Sequence, residues 1–591
     1  MPSRRVRGIG AALCCILLAA LFATTSWTAA SGKSYTPDEP GHTLDGWFIR
    51  FHADYRFWCN NPPLWEYFIA LPATADAIQF DPRWSQYRDL NAVVPPPFWS
   101  HRVPLWLMRR ARFMCLILGV ALALLIGHWA WELAGIIPAI AAVFLYCLDP
   151  NFLGHASLVK NDVACALVFV GAARAMWKIG EGITVGRAIG VAIWITAAVL
   201  VKFSGLLLAP ALVATLGLRA LAAQPWPALG TTLARRSLRS AAAGAICLST
   251  FVAIYVGIWA SYGFRFNAGP DDLSLPVRDM TVPVRVYGLY KKLHRQPTDA
   301  EVAAAPVPAA ARFLVDVDRH HLLPQAFTAG LLFTEVFDQG GEEGYLMGQR
   351  YYGGKWIYFP LGFLFKEPLA SIIGVCLALI VGVHASVRRQ LATFQNQWAA
   401  ICLSVPAGIY ALAAITSEMN IGFRHFFPVL PFLYIGTGLA VAAIWRRRAG
   451  RIAVVILALA LAAETAAAYP DFIAFFNRAA WGQRAWLLSD SNLDWGQDLP
   501  ALAAWQARNP GVTIYLDFFG HDIPEAYGVH AVDLNDLHGP FRPARPAVAA
   551  VSLSLLQLGG YNADALRQLG VDLHSRPIAI LGGTICLFAV P

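Results

Sequence analysis

The sequence predicts a polytopic α-helical membrane protein, with about eleven transmembrane helices, outer loops and a small α/β domain at the C-terminal end. Three observations lead there. Of 591 residues, 57% are hydrophobic and 14% are charged, where an ordinary soluble chain carries about 25% charge. Mean hydropathy is +0.50. Lys and Arg give a net charge of +9, but they cluster between apolar runs, which is the pattern of a membrane protein and not of a nucleic-acid binder.

A spanning helix needs ~20 mostly apolar residues. The runs that qualify are 9–29, 113–131, 135–148, 162–178, 187–202, 203–221, 241–261, 368–386, 398–416, 426–444 and 452–469, the third being short. The first could also be read as a secretory signal, since "TAASG" resembles a cleavage site. Its length and the ten runs after it favour an uncleaved anchor. With the N-terminus inside, the inner loops hold Lys178, Arg187, Arg219, Arg235, Arg236, Arg239, Arg388, Arg389 and Arg446 to Arg448, as the positive-inside rule requires. Arg109, Arg110 and Arg112 break it.

That parity places three segments outside the membrane: 31–112, 262–367 and the tail 470–591, the spans and their loops making one module over 1–469. In the tail, "GVTIYLDFF", "RPAVAAVSL" and "GGTICLFAV" read as strands, "LPALAAWQAR" and "NADALRQLG" as helices. Ten cysteines form no CxxC pair. Eight lie in or beside apolar runs, leaving Cys59 and Cys586, and nothing reads as a disulfide framework or zinc site.

The chemistry-bearing segments lie at span edges. In "YTPDEPGH", Asp38 and Glu39 follow the first span directly. They form either a solvated turn or a general base whose carboxylate, near lipid, is desolvated enough to take a hydroxyl proton. Leu44, Trp47, Phe48, Phe51, Tyr55 and Trp58 follow at helical spacing, predicting a helix that lies flat in the interface, aromatic side down. Asp162 opens the fourth run, as a functional acid or a helix cap. Lys202, Lys366, Arg424, His425 and the cluster at Arg109 are outward cations, snorkelling or holding a lipid phosphate. In "SDSNLDWGQDL", Asn492, Asp494 and Trp495 suit a sugar contact or a capped helix start with Trp in the core. Neither a GxxxxGK[ST] loop nor a clean GxGxxG is present, and no matched broken halves suggest a transporter.

Taken in order, "YTPDEPGH", "NPPLWEYF", "LDPNFLGHASLVKND", "LVKFSGLLLAP" and "NIGFRHFFPVLPF" resemble the GT-C glycosyltransferases. More narrowly, they are similar to bacterial family 39, the relatives of protein O-mannosyltransferases and of the aminoarabinose transferase of lipid A. The resemblance implies inverting transfer of a sugar from a polyprenyl-phosphate donor to a hydroxyl of a protein, lipid A or polysaccharide acceptor, outside a bacterial inner membrane. It implies a cytoplasmic N-terminus, a periplasmic tail and surrounding membrane lipids as partners. Asp38 then matches the base, Glu39 its partner, Asp162 a second acid, and Lys202 with Arg424 and His425 the donor side. Beside the acid pair, His42 is a candidate acceptor or sugar contact. No cofactor is certain; metal use varies among such enzymes, and a divalent metal stays open. Two departures stand out: "CNNPPL" lacks a usual His before its prolines, and "VKND" replaces a Thr-rich stretch. The rival readings are a flippase for lipid-linked sugars and a non-catalytic glycan-binding scaffold.

Overall fold

The computed structural model describes residues 4–88, 101–270, 272–387, 393–537, 539–573 and 575–591. The expected Arg388 and Arg389 therefore lie outside the described residues. All eleven apolar runs are helical. Seven helices are long and apolar enough to cross a membrane, and an eighth counts if a bent pair is one span. That pair, Tyr358–Lys366 and Leu369–His384, turns through 116° at Pro368, whose ring and missing N–H forbid a continuous helix. Ile136–Cys147, Val185–Val201 and Leu430–Ile444 are apolar but shorter. The chain is a multi-pass helical membrane protein.

The loops that matter gather at one end of these helices. There the first helix hands over to Asp38–His52, which carries Asp38 and Glu39 in its first turn and Arg50 and His52 in its last, charges that suit the helix dipole at both ends. Ala53, in the left-handed region at φ 47°, stops it. The expectation of an interfacial helix is corrected here. Leu44, Trp47 and Phe48 are buried in a protein core with Phe57, Trp84, Leu107 and Met108, and Tyr55 and Trp58 lie beyond the helix end. An amphipathic stripe needs an apolar partner, and here folded chain supplies it instead of lipid. The approach is close: a Cβ on Gly41 would overlap the Trp58 ring, and one on Gly46 would come within 2.9 Å of the Glu66 carbonyl oxygen.

At the C-terminal end a five-stranded sheet forms in the order Ala531–Asp533, Thr513–Asp517, Ala547–Ser552, Ile585–Ala589, Ala579–Leu581. The first three strands are parallel and the last two antiparallel to their neighbours. The middle strand, AVAAVS, is buried at all six positions, as a strand covered on both faces must be. Leu499–Arg508 packs on one face through Leu499 and Leu502 against Ile514, Leu516, Val548 and Leu587. All ten cysteines are free thiols.

Candidate active site

Where the helix ends converge there is a cavity of about 500 Å³. Asp38, Lys160, Asp162, Lys202, Arg424 and His425 all line it, beside Asn60, Asn61, Asn161, Glu342 and Tyr410. Five residues singled out in the sequence are thus brought together from positions nearly four hundred residues apart.

Local structure explains each placement. Asp38 and Asp162 are the first residues of their helices, where the positive end of the dipole favours a carboxylate. Lys202 stands at the opposite polarity, closing Val185–Val201 in an extended conformation before the 3-10 turn Phe203–Leu207. Its Nζ pairs with Asp162 Oδ1. Arg424 belongs to the 3-10 turn Phe423–Phe426. That turn is pinned from the tail, because Phe423 N–H donates to Asn492 Oδ1 at 2.8 Å. Arg424 Nε lies 3.4 Å from Asp162 Oδ2, its Nη1 4.0 Å from Asp490 Oδ1, and its guanidinium sits over the Trp495 ring at 4.1 Å.

Polar atoms of three lining residues are incompletely satisfied. Arg424 Nε and Nη1, His425 Nε2 and Asp162 Oδ2 are buried without a hydrogen-bond partner among the described residues. Leaving such groups unmatched costs about 1–3 kcal/mol each, more when charged. Arg424 with the lysines Lys160 and Lys202 makes that lining cationic, which suits an anionic ligand.

Asp38 faces them. Its Oδ2 accepts from Lys160 Nζ at 2.8 Å, and its side chain stays 30% exposed. Burial pushes the Asp38 carboxyl up, but Lys160 and Arg424 together outweigh it and hold the group well below the usual carboxylate range. Glu342, also lining the cavity, is pushed up to about 7 by burial and then by the negative charge of Asp490 and Asp38.

Other sequence candidates take different places. Glu39 is fully buried and accepts from Arg112 Nε at 2.8 Å, Arg112 Nη2 at 2.6 Å, Thr36 N–H at 2.8 Å and Val159 N–H at 3.0 Å. His42 lies behind Asp38, its Nδ1 2.9 Å from Glu66 Oε1 and its Nε2 3.2 Å from Lys160 Nζ. Burial, reinforced by Lys160, lowers its pKa far enough to keep it neutral. An ammonium can only donate, so His42 Nε2 accepts and Nδ1–H donates to Glu66. Lys366 does not reach the cavity: its Nζ donates to the carbonyl oxygens of Ile473 at 2.9 Å, Phe475, and Asn492 at 2.6 Å. Arg109 is exposed on the helix Leu105–Ala134 and does not line the cavity. Asn492 and Asp494 are buried in backbone clamps, and Trp495 is a floor beneath Arg424 instead of a wall open to a sugar.

Lys160, Asn61 and Glu342 were not singled out in the sequence. Lys160 stands two residues before Asp162 in the departure "VKND", the one signal that pointed to it. Among the described residues, no three His, Cys, Asp or Glu gather into a metal-holding group.

No family model matches the chain, and no curated protein matches it. Among solved structures it is similar to the archaeal oligosaccharyltransferase AglB from Archaeoglobus fulgidus, in complex with an inhibitory peptide and a dolichol-phosphate. There identity is 14% and TM-score 0.42, over 84% of this chain and 58% of that one. It is also similar to ArnT from Cupriavidus metallidurans bound to undecaprenyl phosphate, at 13% identity and TM-score 0.28 over 98% of each chain. The chain thus spans less than two thirds of the archaeal protein's length. Likenesses this partial leave the reading of the site to its own residues.

Proposed function

We propose that the protein is a membrane glycosyltransferase of the GT-C kind, moving a sugar from a polyprenyl-phosphate donor to a hydroxyl acceptor with inversion. The observation that carries this reading is the cavity's lining: the carboxylate of Asp38, paired only with Lys160, shares it with the cations Lys202 and Arg424 and with His425. A donor phosphate is drawn to those cations. The acceptor oxygen attacks the anomeric carbon from the Asp38 side, forming the new glycosidic bond. The bond from that carbon to the phosphate oxygen breaks, and its electron pair leaves with the lipid phosphate. The acceptor proton passes to Asp38.

Lys202, Arg424 and His425 stabilise the charge that grows on the phosphate. A positioned donor of this kind contributes roughly 3 kcal/mol. In this reading the cavity end of the protein faces away from the cytoplasm in a bacterial inner membrane, with 470–591 as a small domain there. The acceptor is a protein, lipid A or polysaccharide hydroxyl.

The test compares envelope glycans and glycoproteins by mass spectrometry in a deletion strain carrying wild type, Asp38→Asn or no gene. Removing a general base costs about 10²–10⁴-fold in rate, so Asp38→Asn should match the empty strain. A glycan profile identical in all three strains would overturn the reading.

A further inference from the structure

The cavity's two lining aspartates are each matched to a lysine: Asp162 to Lys202, and Asp38 to Lys160. For Asp162 the pairing is useful, since it fixes a cation beside Arg424. For Asp38 it is an obstacle, because a carboxylate committed to an ammonium is a weak base. The base therefore needs something to take Lys160 away when the substrate arrives.

The surroundings of Lys160 suit that exchange. Its backbone is anchored, since its own N–H donates to the Leu158 carbonyl oxygen at 2.7 Å and the preceding Val159 N–H to buried Glu39. Its Nζ has two partners, Asp38 Oδ2 at 2.8 Å and His42 Nε2 at 3.2 Å, and an ammonium has three hydrogens to give. His42 is locked by Glu66 and by stacking on Trp58 at 4.8 Å, so it accepts from Lys160 wherever the third hydrogen points. The Trp495 ring, 6.0 Å away, also underlies Arg424. Lys160 and Arg424 thus share one aromatic floor, and both line one cavity together with Lys202 and His425.

We propose that Lys160 is a positioning residue that changes partners, holding Asp38 while the site is empty and turning about His42 to a donor phosphate oxygen when one binds, so that Asp38 is released for the acceptor hydroxyl. This rests on the reading of Asp38 as base. A phosphate drawn to the cations of this lining also competes with Asp38 for Lys160. The base is thereby weak without donor and strong with it, so an acceptor hydroxyl or water is not activated before a donor is in place.

The test is a double-mutant cycle on binding of undecaprenyl phosphate to the full-length protein in nanodiscs. Asp38→Asn frees Lys160 and should tighten binding by about fivefold. Lys160→Met should weaken it. In the Lys160→Met background the Asp38→Asn gain should all but vanish. An equal gain in both backgrounds means simple repulsion between Asp38 and the phosphate and overturns the proposal, as does an unchanged affinity in Lys160→Met. If Lys160→Met does not fold, Lys160→Gln runs the same cycle. Because only binding is read, the cycle stands or falls apart from whether Asp38→Asn abolishes transfer.

Discussion

Glu39 accepts four hydrogen bonds, two of them from Arg112, so neither oxygen is left to move a proton. Asp38, one residue earlier, is partly exposed and holds a single lysine. Their substitutions should therefore separate stability from activity. Arg112→Met leaves a buried carboxylate uncompensated, which costs about 3–5 kcal/mol and should lower the thermal midpoint in detergent markedly. Combining it with Glu39→Gln should recover part of that loss. Asp38→Asn breaks a partly exposed pair worth about 1 kcal/mol or less and should barely move the midpoint. Two adjacent acids giving the same melting shift would contradict this division.

At the scale of elements, the tail motif makes a second testable case. Asp494 accepts from Ser554 N–H at 2.9 Å and Gly496 N–H at 3.2 Å, tying the motif to the helix Leu553–Leu558. Burial outweighs those hydrogen bonds and pushes its carboxyl up to about 7. Below the ordinary carboxylate range, folded and unfolded chains are both protonated and the contribution of this group is whole. As pH rises through about 7 the folded state must ionise in its buried surroundings, and the contribution is lost. Asp494→Asn should flatten the decline of the thermal midpoint across that window, with an effect on the order of a few kcal/mol. An unchanged slope would rule Asp494 out as its source. Elements of this kind show where sequence reading succeeds and stops. The eleven apolar helices and the tail strands were legible because hydropathy and β-branched runs report burial directly. The surroundings of Asp38–His52 were not, since a stripe of Leu44, Trp47 and Phe48 looks the same whether lipid or Leu107 covers it. Nor could spacing tell Lys202 from Lys366. Both end a helix at a span edge, yet one lines the cavity and the other spends its donors on three carbonyl oxygens.

For the molecule as a whole, every residue lining the cavity lies between 38 and 425, but the site is completed by the tail. Asn492 receives the Phe423 N–H that sets the Arg424 turn, and its carbonyl oxygen takes Lys366. Trp495 supports Arg424 and stands near Lys160. Lys33, at the end of the first helix, pairs with both Asp471 and Asp498, and Ser34 N–H donates to the Gln497 carbonyl oxygen at 3.0 Å. The tail is thus held against the segment that begins with Asp38, and its motif forms the underside of the site. Trp495→Leu tests this coupling, because it keeps an apolar side chain in the floor while removing the ring face beneath two cations. A desolvated cation–π contact is worth about 2 kcal/mol, so undecaprenyl phosphate should bind roughly tenfold or more weakly. Transfer should fall with it, although no lining atom has changed. Unaltered affinity in a Trp495→Leu protein that melts normally would show that the tail holds the helices together without shaping the cavity.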